Sequence, residues 1–171
     1  MIKIISETSQ NRDEIFTVKE QKVDVCKTVS EIITAVRTQG DSALYFYTEK
    51  FDKAKLNSLR VSEEEIENAF LSVDKNFVKI LEKAAKNIRE FHEKQVRNGF
   101  KIEKENGVIV GQKIIPVDIA GIYVPGGTAA YPSTVLMDSI PAKIAGCKEI
   151  VMVTPPNAEG KVNPVILAAA K

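Results

Sequence analysis

The chain has 171 residues, 44% of them hydrophobic and 27% charged, which is enough apolar material for one substantial core or two small ones and unlike a disordered tail. Lys and Arg number 24 against 23 Asp and Glu, a formal net charge of +1, so no broad basic field marks the chain for nucleic acid or for a membrane surface. The two cysteines, Cys26 and Cys147, have no CxxC pairing, and no apolar run approaches the roughly 18 residues of a membrane span. With no signal peptide in view, these features place the chain in a reducing cytoplasm, with both thiols packed rather than ligating.

Residues 1–21 open with a short apolar run (Ile2, Ile4, Ile5) that suits a strand, an arm or a docked terminus. From about Asp24 to Gln39, Val25, Val29, Ile32, Ile33 and Val36 recur at helical spacing, predicting a helix with one buried face that Gly40 closes. Asp41 can cap a second helix, in which Leu44, Tyr47, Thr48 and Phe51 share a side and read as core filler. Ser62 with Glu65 forms the S-x-x-E pattern of a capping box, and the run Glu63-Glu64-Glu65 reads as a solvated first turn at the positive end of a helix.

From Asp74 to about Gln95, Phe77, Leu81, Ala84, Ile88 and Phe91 step by four and three, a narrow stripe for packing on another helix, with Gly99 as its expected end. His92, the single histidine, has no second ligand at metal spacing and reads as a surface side chain. Asn106-Gly107 between Phe100–Lys104 and Val108–Ile115 predicts an antiparallel hairpin. Pro116 then separates a helix-rich part, residues 1–118, from a second part, residues 119–171.

The second part organises the chain. Two apolar runs, Ile119 to Val124 and Ile150 to Val153, flank a periodic segment from Pro132 to Ala145, which predicts a right-handed parallel βαβ unit with strands buried on both faces. Pro132 suits the first helical turn, Pro141 should kink or restart the helix near Ser139 or Ile140, and Gly146 should end it. Asn163-Pro164 reads as cap and first residue of a further helix, within which the chain stops. If the unit is cut there, the second strand lacks a neighbour and the face around Val165, Ile166 and Leu167 lacks cover, a motive for self-association.

Pro125-Gly126-Gly127 lies between a strand end and a helix start, where bare backbone admits a ligand and unpaired helix N–H groups favour an anion. Tyr123 stands at the carboxyl end of the first strand, able to stack on a ring or donate its hydroxyl. The turn lacks both the GxGxxG fingerprint and the GxxxxGK[ST] phosphate loop, so by local pattern an ordinary turn is the more frequent explanation.

The stretch GIYVPGGTAAYPSTVLMDSIPAKIAGCKEIVMVTPP, together with GDSALYFYTEKFD (Gly40 to Asp52), resembles the N-terminal portion of the histidinol dehydrogenase family. The chain departs mildly at Asp138, where the family usually has Asn, at Cys147, where it often has Val, and in the lead-in Val117-Asp118-Ile119-Ala120. The resemblance implies an incomplete Rossmann-like α/β fold of the aldehyde-dehydrogenase-like group. It also implies a cytoplasmic homodimeric enzyme that oxidises L-histidinol through the aldehyde to L-histidine with two NAD and zinc. Tyr123, with Pro125 beside it, matches the family position that contacts NAD, and local physics adds Gly126 and Gly127.

In the family the zinc ligands (two histidines, a glutamine and an aspartate) and a Glu-His proton relay lie later in a much longer polypeptide. A chain with one histidine cannot contain that set, so these residues are expected to be a truncated, catalytically inert portion. Two rivals follow from the residues themselves. One is a non-catalytic nucleotide-binding or interaction module on the same βαβ unit. The other is a helical interaction scaffold using the Phe77 to Phe91 stripe, which requires that stripe to be exposed.

Overall fold

The computed structural model describes residues 25–126 and 129–171 together with Ser6, Thr8 and Arg12; the opening apolar run lies outside these. The chain groups into two units, Met1–Gly40 and Asp41–Lys171. In the first, α1 (Val25–Gln39) ends where Gly40, at φ +58°, donates its N–H to the Val36 carbonyl at 2.9 Å. The expected buried face is absent: Val25, Val29 and Ile33 are exposed and no residue of α1 is buried, because no described element of this unit covers it. Cys26 is exposed rather than packed, and Cys147 is half-buried.

The second unit runs α2 (Asp41–Asp52), α3 (Glu63–Ser72), α4 (Lys75–Glu93), β1 (Phe100–Glu103), β2 (Ile109–Gln112), β3 (Ile119–Tyr123), α5 (Pro132–Ala145), β4 (Glu149–Val153) and α6 (Pro164–Ala170). Its architecture is α/β. Local chemistry sets most boundaries. Ser62 and Glu65 close the capping box of α3, with Ser62 N donating to Glu65 Oε2 at 2.9 Å and Glu65 N to Ser62 Oγ at 3.1 Å. Asp74 Oδ1 accepts from Asn76 and Phe77 N–H groups to start α4. Asn163 Oδ1 accepts from Val165 N at 3.0 Å, with Pro164 as the first residue of α6.

Gly146, at φ +93°, ends α5 in the arrangement that satisfies two terminal carbonyls: Cys147 N reaches Ala142 O and Gly146 N reaches Lys143 O, both at 3.1 Å. The helix runs unbroken through Pro141, so the expected restart does not occur. The carbonyl that Pro141 leaves without an N–H belongs to Met137, which is exposed.

The hairpin pairs β1 with β2 in the register Phe100↔Gln112 to Glu103↔Ile109. Its loop is Glu105-Asn106-Gly107: Gly107 N donates to Lys104 O and Lys104 N to Val108 O, both at 2.9 Å, and Gly107 alone takes positive φ (+81°). That is a three-residue loop with a glycine bulge, the length left between the two predicted β runs. Gly99 does not end α4, which stops at Glu93; a Cβ on Gly99 would run into the Gln112 carbonyl oxygen, so this glycine serves the hairpin.

β3 and β4 are parallel, in register from Ile119↔Glu149 to Tyr123↔Val153. Burial alternates along both strands, correcting the expectation of strands covered on two faces. Ala120, Ile122, Ile150 and Met152 point to the covered side, while Ile119, Tyr123, Val151 and Val153 are exposed. α5 is the helix that lies against both strands, and α6 lies against α5 and α3. The core is Val124, Val135 and Ile166, with Met152, Val162 and Ala169 packed around it.

Two further expectations are overturned. Ile166 and Leu167, expected to lack cover, are buried at 1% and 6% exposure, because α3 and α5 lie against α6 and Val124 and Met152 pack with Ile166. Leu44 and Phe51 are exposed rather than core filler; Ala43 and Ala54 are the buried residues there, and the Tyr47 and Phe51 rings stack on each other at 5.7 Å. The α4 stripe is half-buried from Phe77 through Ile88, and α4 lies against α5; only Phe91 is exposed.

Candidate functional site

The two parallel strands end side by side, and each runs into a proline. Main-chain pairing continues one residue beyond β3, with Val124 N donating to Val153 O at 2.9 Å, and stops at Pro125, which has no N–H to offer. Val124 is fully buried, and alternation turns Tyr123 to the other side of the strand. The Tyr123 ring is 61% exposed at the carboxyl end of β3, on the uncovered face beside Val153. It is not packed beneath the loop.

Pro125 and Gly126 are half-buried; Gly127 lies outside the described residues. Gly126 abuts the segment that leaves β4. A Cβ built on it would stand 3.1 Å from both Pro155 Cγ and the Pro155 carbonyl oxygen and 3.2 Å from Thr154 Oγ1. A side chain there would crowd these neighbours, so close approach favours glycine. Thr154 Oγ1 is buried without a hydrogen-bond partner among the described residues. Such a group costs about 1–3 kcal/mol when left unpaired.

A cleft of about 250 Å³ opens beside Gly126, lined by Pro155, Asn157, Lys161, Val162 and Asn163 among others. Asn157 holds its rim: its Oδ1 accepts from Lys161 N at 2.8 Å and its N–H donates to Lys161 O at 2.9 Å. A neighbouring cleft of about 420 Å³ shares Lys161 and Val162 and adds Lys55, Arg60 and Thr154. Tyr123 lines neither, so Gly126 and Tyr123 belong to one strand end but face different spaces.

The arrangement offers an exposed ring, a side-chain-free turn and amide-bearing rims at the carboxyl ends of parallel strands, the place where open α/β sheets receive small molecules. His92 is half-buried on α4, its Nδ1 2.6 Å from Gln95 Oε1 and its ring edge-on to Phe91, far along the chain from the strand ends. Among the described residues no three His, Cys, Asp or Glu side chains gather as a metal site. No helix there is long and apolar enough to cross a membrane.

Sequence reasoning placed Tyr123, Pro125 and Gly126 at the junction of strand and glycine turn, which is where they lie along the chain. It missed Thr154 and Pro155 as their neighbours, although Thr154-Pro155-Pro156 follows β4 as Val124-Pro125-Gly126 follows β3.

A family model described as histidinol dehydrogenase matches residues 17–171. The histidinol dehydrogenase of Clostridium acetobutylicum is 47% identical over 175 residues, covering 99% of this chain and 41% of the relative. That of Geobacillus kaustophilus is 51% identical over 144 residues, covering 84% of this chain and 34% of the relative. The crystal structure of the histidinol dehydrogenase from Elizabethkingia anophelis superposes with a TM-score of 0.84 at 39% identity, over 98% of this chain and 39% of that one. The chain thus spans about two fifths of the length of the relatives it matches. With a family match over nearly its whole length and a shared fold at high identity, the chain belongs to the histidinol dehydrogenase family.

Proposed function

We propose that this chain is part of an L-histidinol dehydrogenase, a cytoplasmic homodimer in histidine biosynthesis that oxidises L-histidinol through L-histidinal to L-histidine with two NAD and zinc. The observation that carries the reading is the family match over residues 17–171. We assign residues 119–171 as the first βαβ unit of the NAD-binding domain and residues 1–118 as the part preceding it. Tyr123, Pro125, Gly126 and Gly127 are the cofactor-binding residues.

NAD supplies a hydride acceptor for each oxidation. The part of this chain is to bind and orient it: the exposed Tyr123 ring offers a stacking surface, and the bare backbone at Gly126 lets the ligand approach the strand ends. Zinc does not fit here. With a single histidine and no gathered ligand set among the described residues, no step through the metal is assigned to these side chains.

The test uses the full-length polypeptide. L-Histidinol should drive NAD reduction with two NADH formed per histidine, the activity should fall when a chelator removes zinc, and light scattering should give a dimer. NAD reduction that does not depend on histidinol would sink the substrate assignment.

A further inference from the structure

The segment leaving β4 touches the glycine turn leaving β3. Fixation along this path is continuous. Tyr123 is in register with Val153, Val124 N bonds Val153 O at 2.9 Å, and Gly126 sits so close to Thr154 Oγ1, Pro155 Cγ and the Pro155 carbonyl oxygen that a methyl group would require these neighbours to give by a few tenths of an ångström. The carbonyl oxygen is backbone and cannot yield by side-chain rotation. Pro156 follows Pro155 and holds its ψ in the extended range, which limits how far that carbonyl can swing.

Stability alone does not account for Thr154. Its hydroxyl is buried and has no partner among the described residues, so the side chain fills space under Gly126 but leaves a polar atom unpaired. A valine would fill the same volume without that penalty. We propose that Thr154 and Pro155 are positioning residues: they form the platform against which the Pro125-Gly126 turn is held, so that the carboxyl end of β4 sets the geometry at which the β3 end meets NAD. The inference rests on the proposed cofactor role of Tyr123 and its turn.

The experiment is a double-mutant cycle in the full-length polypeptide between Gly126→Ala and Thr154→Ala, read as the apparent KM for NAD and as melting temperature. Gly126→Ala crowds the turn against its platform and should raise the KM by about five- to ten-fold, with a smaller effect on kcat. Thr154→Ala removes one of the three atoms that a methyl group at position 126 would meet and leaves the two Pro155 contacts at 3.1 Å, so the double variant should recover only part of the lost affinity, and the two effects should not add. Additive effects on the KM overturn the proposal. Coupling seen in melting temperature but not in the KM also overturns it, because the contact then serves the fold alone. Tyr123→Ala is run in parallel: an unchanged KM there removes the cofactor reading itself, whereas a raised KM with an additive cycle removes only the platform.

Discussion

Tyr123 and Val153 are register partners at the carboxyl ends of the two parallel strands, and both side chains stand on the uncovered face, 61% and 56% exposed. A large ring held at a fixed strand position yet left open can be removed without emptying the core. Tyr123→Ala in the full-length enzyme is therefore expected to raise the apparent NAD constant several-fold, the loss of about 1 kcal/mol of stacking. The melting temperature should hardly move. A large drop in melting temperature with an unchanged NAD constant would show the ring to be structural.

Ile166 makes the opposite case. It is 1% exposed in the cluster with Val124 and Val135, so Ile166→Ala should cost about 2–5 kcal/mol, the range for truncating a packed aliphatic side chain. Urea unfolding measures it; a loss below about 1 kcal/mol would mean that α6 is not the core helix.

The capping box gives a smaller, local effect. Ser62→Ala removes the acceptor of the Glu65 N–H and should cost about 1 kcal/mol of stability without altering the NAD constant, since none of the proposed cofactor residues lies on α3. The urea midpoint should fall while activity stays at the parent level.

Two glycines of the hairpin separate steric from conformational demand. Gly99→Ala drives a methyl group into the Gln112 carbonyl and should cost about 2 kcal/mol or more. Gly107→Ala meets open space and is strained only by its φ of +81°, which costs about 1–2 kcal/mol for a non-glycine residue. Gly107→Asn should be milder still, since asparagine tolerates that backbone, whereas Gly99→Asn should be as damaging as alanine or worse. Equal responses to asparagine at both positions would contradict the assignment.

What could be read from the sequence was short-range. Ser62 with Glu65, Asn163 with Pro164, Gly146 after Ala145 and Asn106-Gly107 between β-prone runs each satisfy backbone groups within a few residues, so their pattern carries their structure. Burial is different. An apolar run such as Ile119 to Val124 suits a strand covered on one face or on two, and only the placement of α5 and α6 decides between them. Gly99 looked like a helix stop because its true constraint, the Gln112 carbonyl, lies across the hairpin. At the site, Tyr123 and the glycine turn showed through the break between strand and loop, while the Thr154–Pro155 contact joins the ends of two strands separated by a whole helix.

The burial of α6 also bears on the order of events during synthesis. Its Ile166 and Leu167 complete a core begun at Val124 and Val135, and it rests on α3, which leaves the ribosome far earlier. Until the last of these segments emerges, α3 and the covered side of the β3–β4 pair have no lid, and their apolar surface is open to solvent and to other nascent chains. Closure of the core is thus a long-range step rather than a local one, and pausing translation before α6 has left the ribosome should lengthen the time during which a chaperone can bind.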